Sequence, residues 1–322
     1  MRVRTTASLA VAAVLAAATT TSVSVKAQPA PFAGIVVFGT SLSDPGNAFA
    51  LRGGTNTPPD YLLDPFLVPS APYARGGHHF SNGATWIEEF ARPLGLAGSV
   101  KPAFRASASD ATNFAVGAAR AREDGVNVNL PAQVEAFLTQ AGGVAPSDRL
   151  YVIEMGGNDI RDALVAYVGG GGNAGAGAVL QAANIAIANA ITTLYGAGAR
   201  QFLVWRAPNV GLTPAIRTLD SLNPGAAYLA GVLTQGFNAG LDGVVAQLTG
   251  LPGISIARLD AERILNNLVT APARFDLTNV TAACVTPHVP PFTCQSPDEF
   301  LYWDGIHPTR AVHMILAQEA SA

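Results

Sequence analysis

Cysteine is scarce, at two in 322 residues, so the chain is not a scaffold in which disulfides replace a core. Charge is scarce too. Charged residues make up 13%, and a net charge of −3 argues against a nucleic-acid or anionic-membrane binder, which needs a basic face. Beyond the first twenty residues Gly, Pro or a charge interrupts every apolar run, so no later segment is expected to cross a membrane. Internal repeats are missing, and no linker divides the chain. What is present is 49% hydrophobic residues, ample for a core, over a length that fits one large α/β domain or two modest ones.

The first segment needs separate treatment. Arg2 and Arg4 open it, an apolar stretch covers residues 7–18, and Val25-Lys26-Ala27 offers small residues for cleavage. This reads as a secretory signal peptide over residues 1–27, with a retained anchor as the alternative. Its removal takes Arg2, Arg4 and Lys26 with no acid, moving the net charge from −3 to −6. A secreted or periplasmic product, residues 28–322, is then expected. In such an oxidising compartment Cys284 and Cys294, flanking the Pro-rich stretch of Pro287, Pro290 and Pro291, are expected to pair. Two free thiols are the alternative, and a metal site there would have only His288 to add.

Five short apolar runs read as buried parallel strands: 35–38, 112–115, 150–154, 202–205 and 254–257. Helical stretches fall between them at 131–141, 178–195 and 226–248, and residues 169–177 read as a Gly-rich loop. Strand–helix alternation predicts a parallel sheet with helices on both faces. Ligands in such sheets bind beyond the carboxyl ends of the strands. Ser41, Gly117 and Asn158 each follow a predicted strand, so they share one edge. Residues 57–79 form a long, Pro-rich, apolar segment carrying Tyr61, Leu62, Leu63, Phe66, Leu67, Val68 and Tyr73. Such a loop is either a binding wall or lid, or packs on its own side chains.

Four turn-like sites carry the chemistry. Ser41 lies in Gly39-Thr40-Ser41-Leu42-Ser43-Asp44, where its hydroxyl can be exposed and the local N–H groups can converge. Taken alone, a serine there is more often a cap, and the segment lacks the second glycine of a Gly-x-Ser-x-Gly elbow. Asp304 and His307 lie three residues apart in Asp304-Gly305-Ile306-His307-Pro308, so the carboxylate can hold the imidazole. A helix cap and a packed core histidine would explain them equally well. Gly117 could offer an unobstructed backbone N–H, and Asn158 an amide, to a developing oxyanion. Asn158 could instead cap a helix. A nucleophile, an orienting acid, a base and two oxyanion donors are the inventory of a serine hydrolase.

Together these blocks, with Asn113-Phe114-Ala115-Val116-Gly117-Ala118-Ala119-Arg120 and Gly156-Gly157-Asn158-Asp159, resemble the GDSL or SGNH family of secreted ester hydrolases. The resemblance extends from Phe38 to Ile315. It implies a three-layer α/β/α, flavodoxin-like fold with a parallel five-stranded sheet. It also implies a Ser41–His307–Asp304 triad, an oxyanion hole from Ser41, Gly117 and Asn158, and no cofactor or metal. The family usually has Asp before the serine, where this chain has Thr40. Softer pieces follow from the same resemblance. Tyr73 is expected either to line an acyl pocket or to pack in the core. His78 and His79 are expected in a solvated loop, and His313 as an ordinary helical residue. The expected partner is a small ester or lipid, and the expected state a monomer. Other readings are a lipid acyltransferase or phospholipase on the same site, and a catalytically silent binding protein.

Overall fold

The computed structural model describes residues 30–58, 63–74, 76–105 and 110–322. The expected signal peptide lies outside them, as do Tyr61 and Leu62. The elements run in order β1 (Gly34–Gly39), α1 (Asn47–Leu51), α2 (Trp86–Ala91), α3 (Leu130–Gln140), β2 (Arg149–Glu154) and α4 (Gly157–Ala166). They continue with α5 (Gly172–Gly196), β3 (Gln201–Arg206), α6 (Pro214–Leu222), α7 (Ala226–Leu248), β4 (Ser255–Asp260) and α8 (Ala261–Thr270). The chain closes with β5 (Asn279–Ala283), β6 (Phe300–Tyr302) and α9 (Arg310–Ala320).

Strands β1 to β4 pair in parallel in that order. Successive strand side chains point to opposite faces, and the cores follow that alternation. Val36, Phe38, Tyr151, Ile153, Phe202 and Val204 join one core with α3, α4, α5 and α7. Ile35, Val37, Leu150, Val152, Leu203 and Trp205 join the other with α2, α8 and α9. The result is the helix–sheet–helix sandwich that the alternation of elements predicts.

Three sequence expectations are corrected. The sheet has four strands, not five, because residues 112–115 make no strand. Their backbone does follow the free edge of β1: Val37 N–H donates to Thr112 O at 2.9 Å and Phe114 N–H to Val37 O at 2.8 Å. The side chain of Asn113 then accepts from Ala115 N–H at 2.9 Å and donates to Ser43 O at 2.9 Å. That local bond offers the backbone an alternative to a ladder, leaving one isolated bridge, Val37 to Asn113. A separate two-stranded sheet, β5 with β6, holds the chain ahead of Asp304.

The expected loop at 169–177 is largely helical. A π-helical turn, Tyr167–Gly171, joins α4 to α5, with Gly170 at φ 98° marking the kink. Helix formation by glycine is weak, but Ala176, Leu180, Ala183, Ile187 and Ile191 on α5 bury against the sheet, and that packing outweighs propensity. Contrary to the sequence reading, the joined span Gly157–Gly196 is therefore long and apolar enough, by length and composition, to cross a membrane. Here it serves as the central helix of one core.

Cys284 and Cys294 form a disulfide. Closing so short a loop stabilises by roughly 2–3 kcal/mol. Cys284 is fully buried and packs with Tyr73, Val285 and Trp303, directly behind Asp304.

Candidate active site

The parallel register sets Gly39 level with Glu154, so β1 and β2 end together. Ser41 lies in the turn just beyond β1, closed by Ser43 N–H donating to Thr40 O at 3.1 Å. Three buried side chains fix this turn. Gln133 accepts from Gly39 N–H and donates to Gly39 O, both at 2.9 Å. Glu154 accepts from Thr40 N–H at 2.9 Å and from its hydroxyl at 3.0 Å. Trp86 Nε1–H donates to Ser43 Oγ at 2.9 Å. Position 40 thus carries no carboxylate of its own, and β2 delivers one to it from the neighbouring strand.

The second half of the site is the turn after β6. Asp304 Oδ1 accepts from the backbone N–H of Ile306 at 2.9 Å and of His307 at 2.8 Å. Its Oδ2 lies 2.7 Å from His307 Nδ1, and His307 Nε2 lies 2.9 Å from Ser41 Oγ. With Nδ1–H donating to the carboxylate, Nε2 is left as the acceptor for the serine hydroxyl. Ser41, His307 and Asp304 are all buried. Gly305 is required in this turn. Its N–H donates to Leu67 O at 2.8 Å, and a Cβ there would fall 2.0 Å from Phe66 O. Residues 66–67 of the apolar loop therefore press on the Asp304–His307 turn.

Of the two roles expected of Tyr73, the structure places it in the core. It is fully buried, stands edge-on to Trp303, and its hydroxyl donates to Asp304 Oδ2 at 2.9 Å. The same carboxylate oxygen thus serves His307 and Tyr73.

The three expected oxyanion donors are in different hydrogen-bonding states. Ser41 N–H makes no hydrogen bond among the described residues and is free to donate. One N–H of the Asn158 amide donates to Ala119 O at 2.8 Å, which aims the amide and leaves its other N–H. Gly117 N–H, however, donates to Asp44 Oδ2 at 2.8 Å. It is committed to that carboxylate, so it is not an open third donor here. The reason for glycine at 117 is steric: a Cβ would meet the Phe80 ring at 2.2 Å, and that ring packs 5.3 Å from the His307 ring. Ala118 follows at φ 72°, and its N–H has no hydrogen bond among the described residues.

A cleft opens at Ser41 and His307, with Leu42, Pro208, Val210 and Ile306 on its apolar side and Glu154, Asn158 and Arg161 on its polar side. Neither Phe66 nor Leu67 reaches it. Burial pushes the Glu154 carboxyl up to about 7, although the Thr40 and Ser43 hydrogen bonds pull the other way. Asp44 is likewise raised by burial, against four backbone N–H donors, Gly117, Gly46, Ala48 and Asn47. His79 is buried rather than solvated. Burial lowers its pKa, but the Glu88 carboxylate 2.8 Å away outweighs that and holds it above the usual range. His78 stacks on Phe49. His313 is no ordinary helical residue either. It is buried in α9, its Nδ1 accepts from Trp86 N–H at 3.1 Å, and burial pushes it down to about 3.

Comparison with known proteins gives an independent result. The sequence profile of the family described as GDSL-like lipase/acylhydrolase matches residues 35–320. A GDSL esterase/lipase of Arabidopsis thaliana is 28% identical across 92% of this chain and 87% of its own. A second from the same plant is 27% identical across 92% and 87%. The thermolabile hemolysin of Vibrio parahaemolyticus is 25% identical across 91% of this chain and 64% of its own.

Proposed function

The chain belongs to the GDSL-like lipase/acylhydrolase family and is an ester-bond hydrolase; on that premise we propose that Ser41, His307 and Asp304 form its catalytic triad. The observation that carries this reading is the unbroken chain from Ser41 Oγ to His307 at 2.9 Å and on to Asp304 at 2.7 Å. Ser41 Oγ attacks the ester carbonyl while His307 Nε2 takes its proton, and Asp304 stabilises the imidazolium that forms. The N–H of Ser41 and the free N–H of Asn158 receive the oxyanion. His307 returns the proton to the departing alcohol, leaving an acyl group on Ser41. Water then attacks that acyl group, with His307 again as the base, and releases the acid.

The apolar side of the cleft suits a small ester or the ester end of a lipid. The proposal includes export across a membrane: Arg2, Arg4 and the apolar stretch after them suit an export signal, and the disulfide suits an oxidising compartment. The test is covalent labelling by a fluorophosphonate probe, read beside turnover of 4-nitrophenyl esters. Wild type is expected to label at Ser41. Ser41→Ala is expected to lose label and at least about 10³-fold in kcat with an unchanged melting temperature. Near-wild-type turnover by that variant would falsify the assignment.

A further inference from the structure

Arg161 is a positive charge in the wall of the cleft with no partner among the described residues. It lies on α4 one turn beyond Asn158, and side chains three apart share a helix face. It borders the same cleft as Ser41 and His307. Its guanidinium has five donors, yet it makes no hydrogen bond or ion pair among the described residues.

Among the described residues, the carboxylates nearest to it are occupied. Asp162 holds Arg120 at 3.0 Å and also Arg122. Asp304 is taken by His307 and Tyr73. Asp64 accepts from the backbone N–H of Phe66 at 2.9 Å and of Val68 at 2.8 Å. Glu154, the acid bordering the cleft itself, is bonded to Thr40. Burial, and then the nearby charge of Arg120, hold the Arg161 pKa below its usual value, as expected of a cation short of counter-charge. Arg120 and Arg206, also half-buried, are paired, with Asp162 and with Asp242 and Glu262. Arg200 and Arg217 have no ion pair among the described residues but donate to backbone carbonyls, and neither they nor Arg149 borders the Ser41 cleft.

A planar, forked cation left open beside a nucleophile fits an oxyanion group, carboxylate or phosphate, held by two parallel hydrogen bonds. Since the cleft is shared with Ser41, that anion must belong to the ester under attack. We propose that Arg161 is a binding site for an anionic group on the substrate, so that the enzyme selects negatively charged esters over neutral ones of the same shape. The proposal rests on Ser41 being the nucleophile.

Two matched pairs test it and locate the anion. Mono-4-nitrophenyl succinate against 4-nitrophenyl pentanoate places the charge on the acyl side. 1-Butanoylglycerol 3-phosphate against 1-butanoylglycerol places it on the alcohol side. Wild type is expected to favour the anionic member of one pair by tenfold or more in kcat/KM. Arg161→Met is expected to erase that preference through KM, and Arg161→Lys to keep part of it. No preference by wild type in either pair overturns the proposal, whether or not the variants fold. So does an equal fall in kcat on charged and neutral esters in Arg161→Met, which would make the cation a stabiliser of the reacting oxyanion. Failure of the underlying reading would look different: no turnover of any ester and no probe label at Ser41.

Discussion

At Asp304 one carboxylate oxygen receives two donors, His307 Nδ1–H and the Tyr73 hydroxyl. In the proposed triad Tyr73 is a positioning residue, acting on the acid that orients the base. Tyr73→Phe keeps the ring against Trp303 and removes one hydrogen bond to a charged group, worth about 1.5–3 kcal/mol. The expected result is a melting temperature several degrees lower and a reduced kcat with KM little changed, read by thermal denaturation and initial rates. In the same proposal Asn158 acts on the other side of the reaction. Asn158→Ala removes a donor that matters mainly in the transition state, so kcat is expected to fall about 10²–10³-fold with KM little moved. A fall confined to KM would make Asn158 a ground-state binding residue. At this scale the sequence singled out Ser41, Asp304, His307 and Asn158 as candidates, because each occupies a short, ordered block. It could not show Tyr73 bonding to a residue 231 positions away, nor Asp44 taking the Gly117 N–H from 73 positions away. Those contacts exist only once the chain has folded.

The elements place these groups with little freedom. Parallel pairing sets Gly39 beside Glu154, so the Ser41 turn and the start of α4 open on one edge. The strands of the central sheet were legible as short β-branched runs, and α7 as a long apolar helix. Residues 112–115 were misread because a local run of apolar residues does not reveal that Asn113 will bend its own backbone. Residues 169–177 were misread because glycine content speaks for propensity, and burial decided the outcome. The loop before Tyr73 touches the Asp304–His307 turn. Were Phe66 and Leu67 an acyl wall, each methylene they covered would contribute about 0.8 kcal/mol, and their loss would single out long-chain esters. Instead Leu67 O holds Gly305 N–H, while the apolar side of the cleft comes from Leu42, Pro208, Val210 and Ile306. Replacing Phe66 and Leu67 together by Ser is therefore expected to lower the melting temperature and reduce acetate and octanoate esters by the same factor. A profile tilted against octanoate alone would restore the wall.

Across the whole molecule, charge is spent sparingly and largely indoors. Several acids are buried around the edge that carries Ser41, and their titration couples stability to pH. Glu154 is the clearest case, raised by burial from 4.5 to about 7. Between those values the unfolded chain has lost the proton while the folded protein keeps it. Stability from this group is thus full below pH 4.5, falls as pH rises to about 7, and is flat above. Asp159, raised by burial to about 6, acts in the same direction. His313, pushed down to about 3, acts oppositely, losing its contribution as pH falls below 6.5. A single variant isolates one of these. Glu154→Gln keeps an oxygen to accept the Thr40 N–H and does not titrate, while Asp159 and His313 are common to both proteins and cancel in the difference. The stability of wild type minus that of Glu154→Gln, from urea denaturation at matched salt, is expected to fall by about 3 kcal/mol between pH 4 and pH 8. A difference that stayed level across that range would mean that Glu154 ionises in the folded protein at the same pH as in the unfolded chain. The turn before Ser41 would then be held by a carboxylate, as the family usually achieves with Asp at position 40.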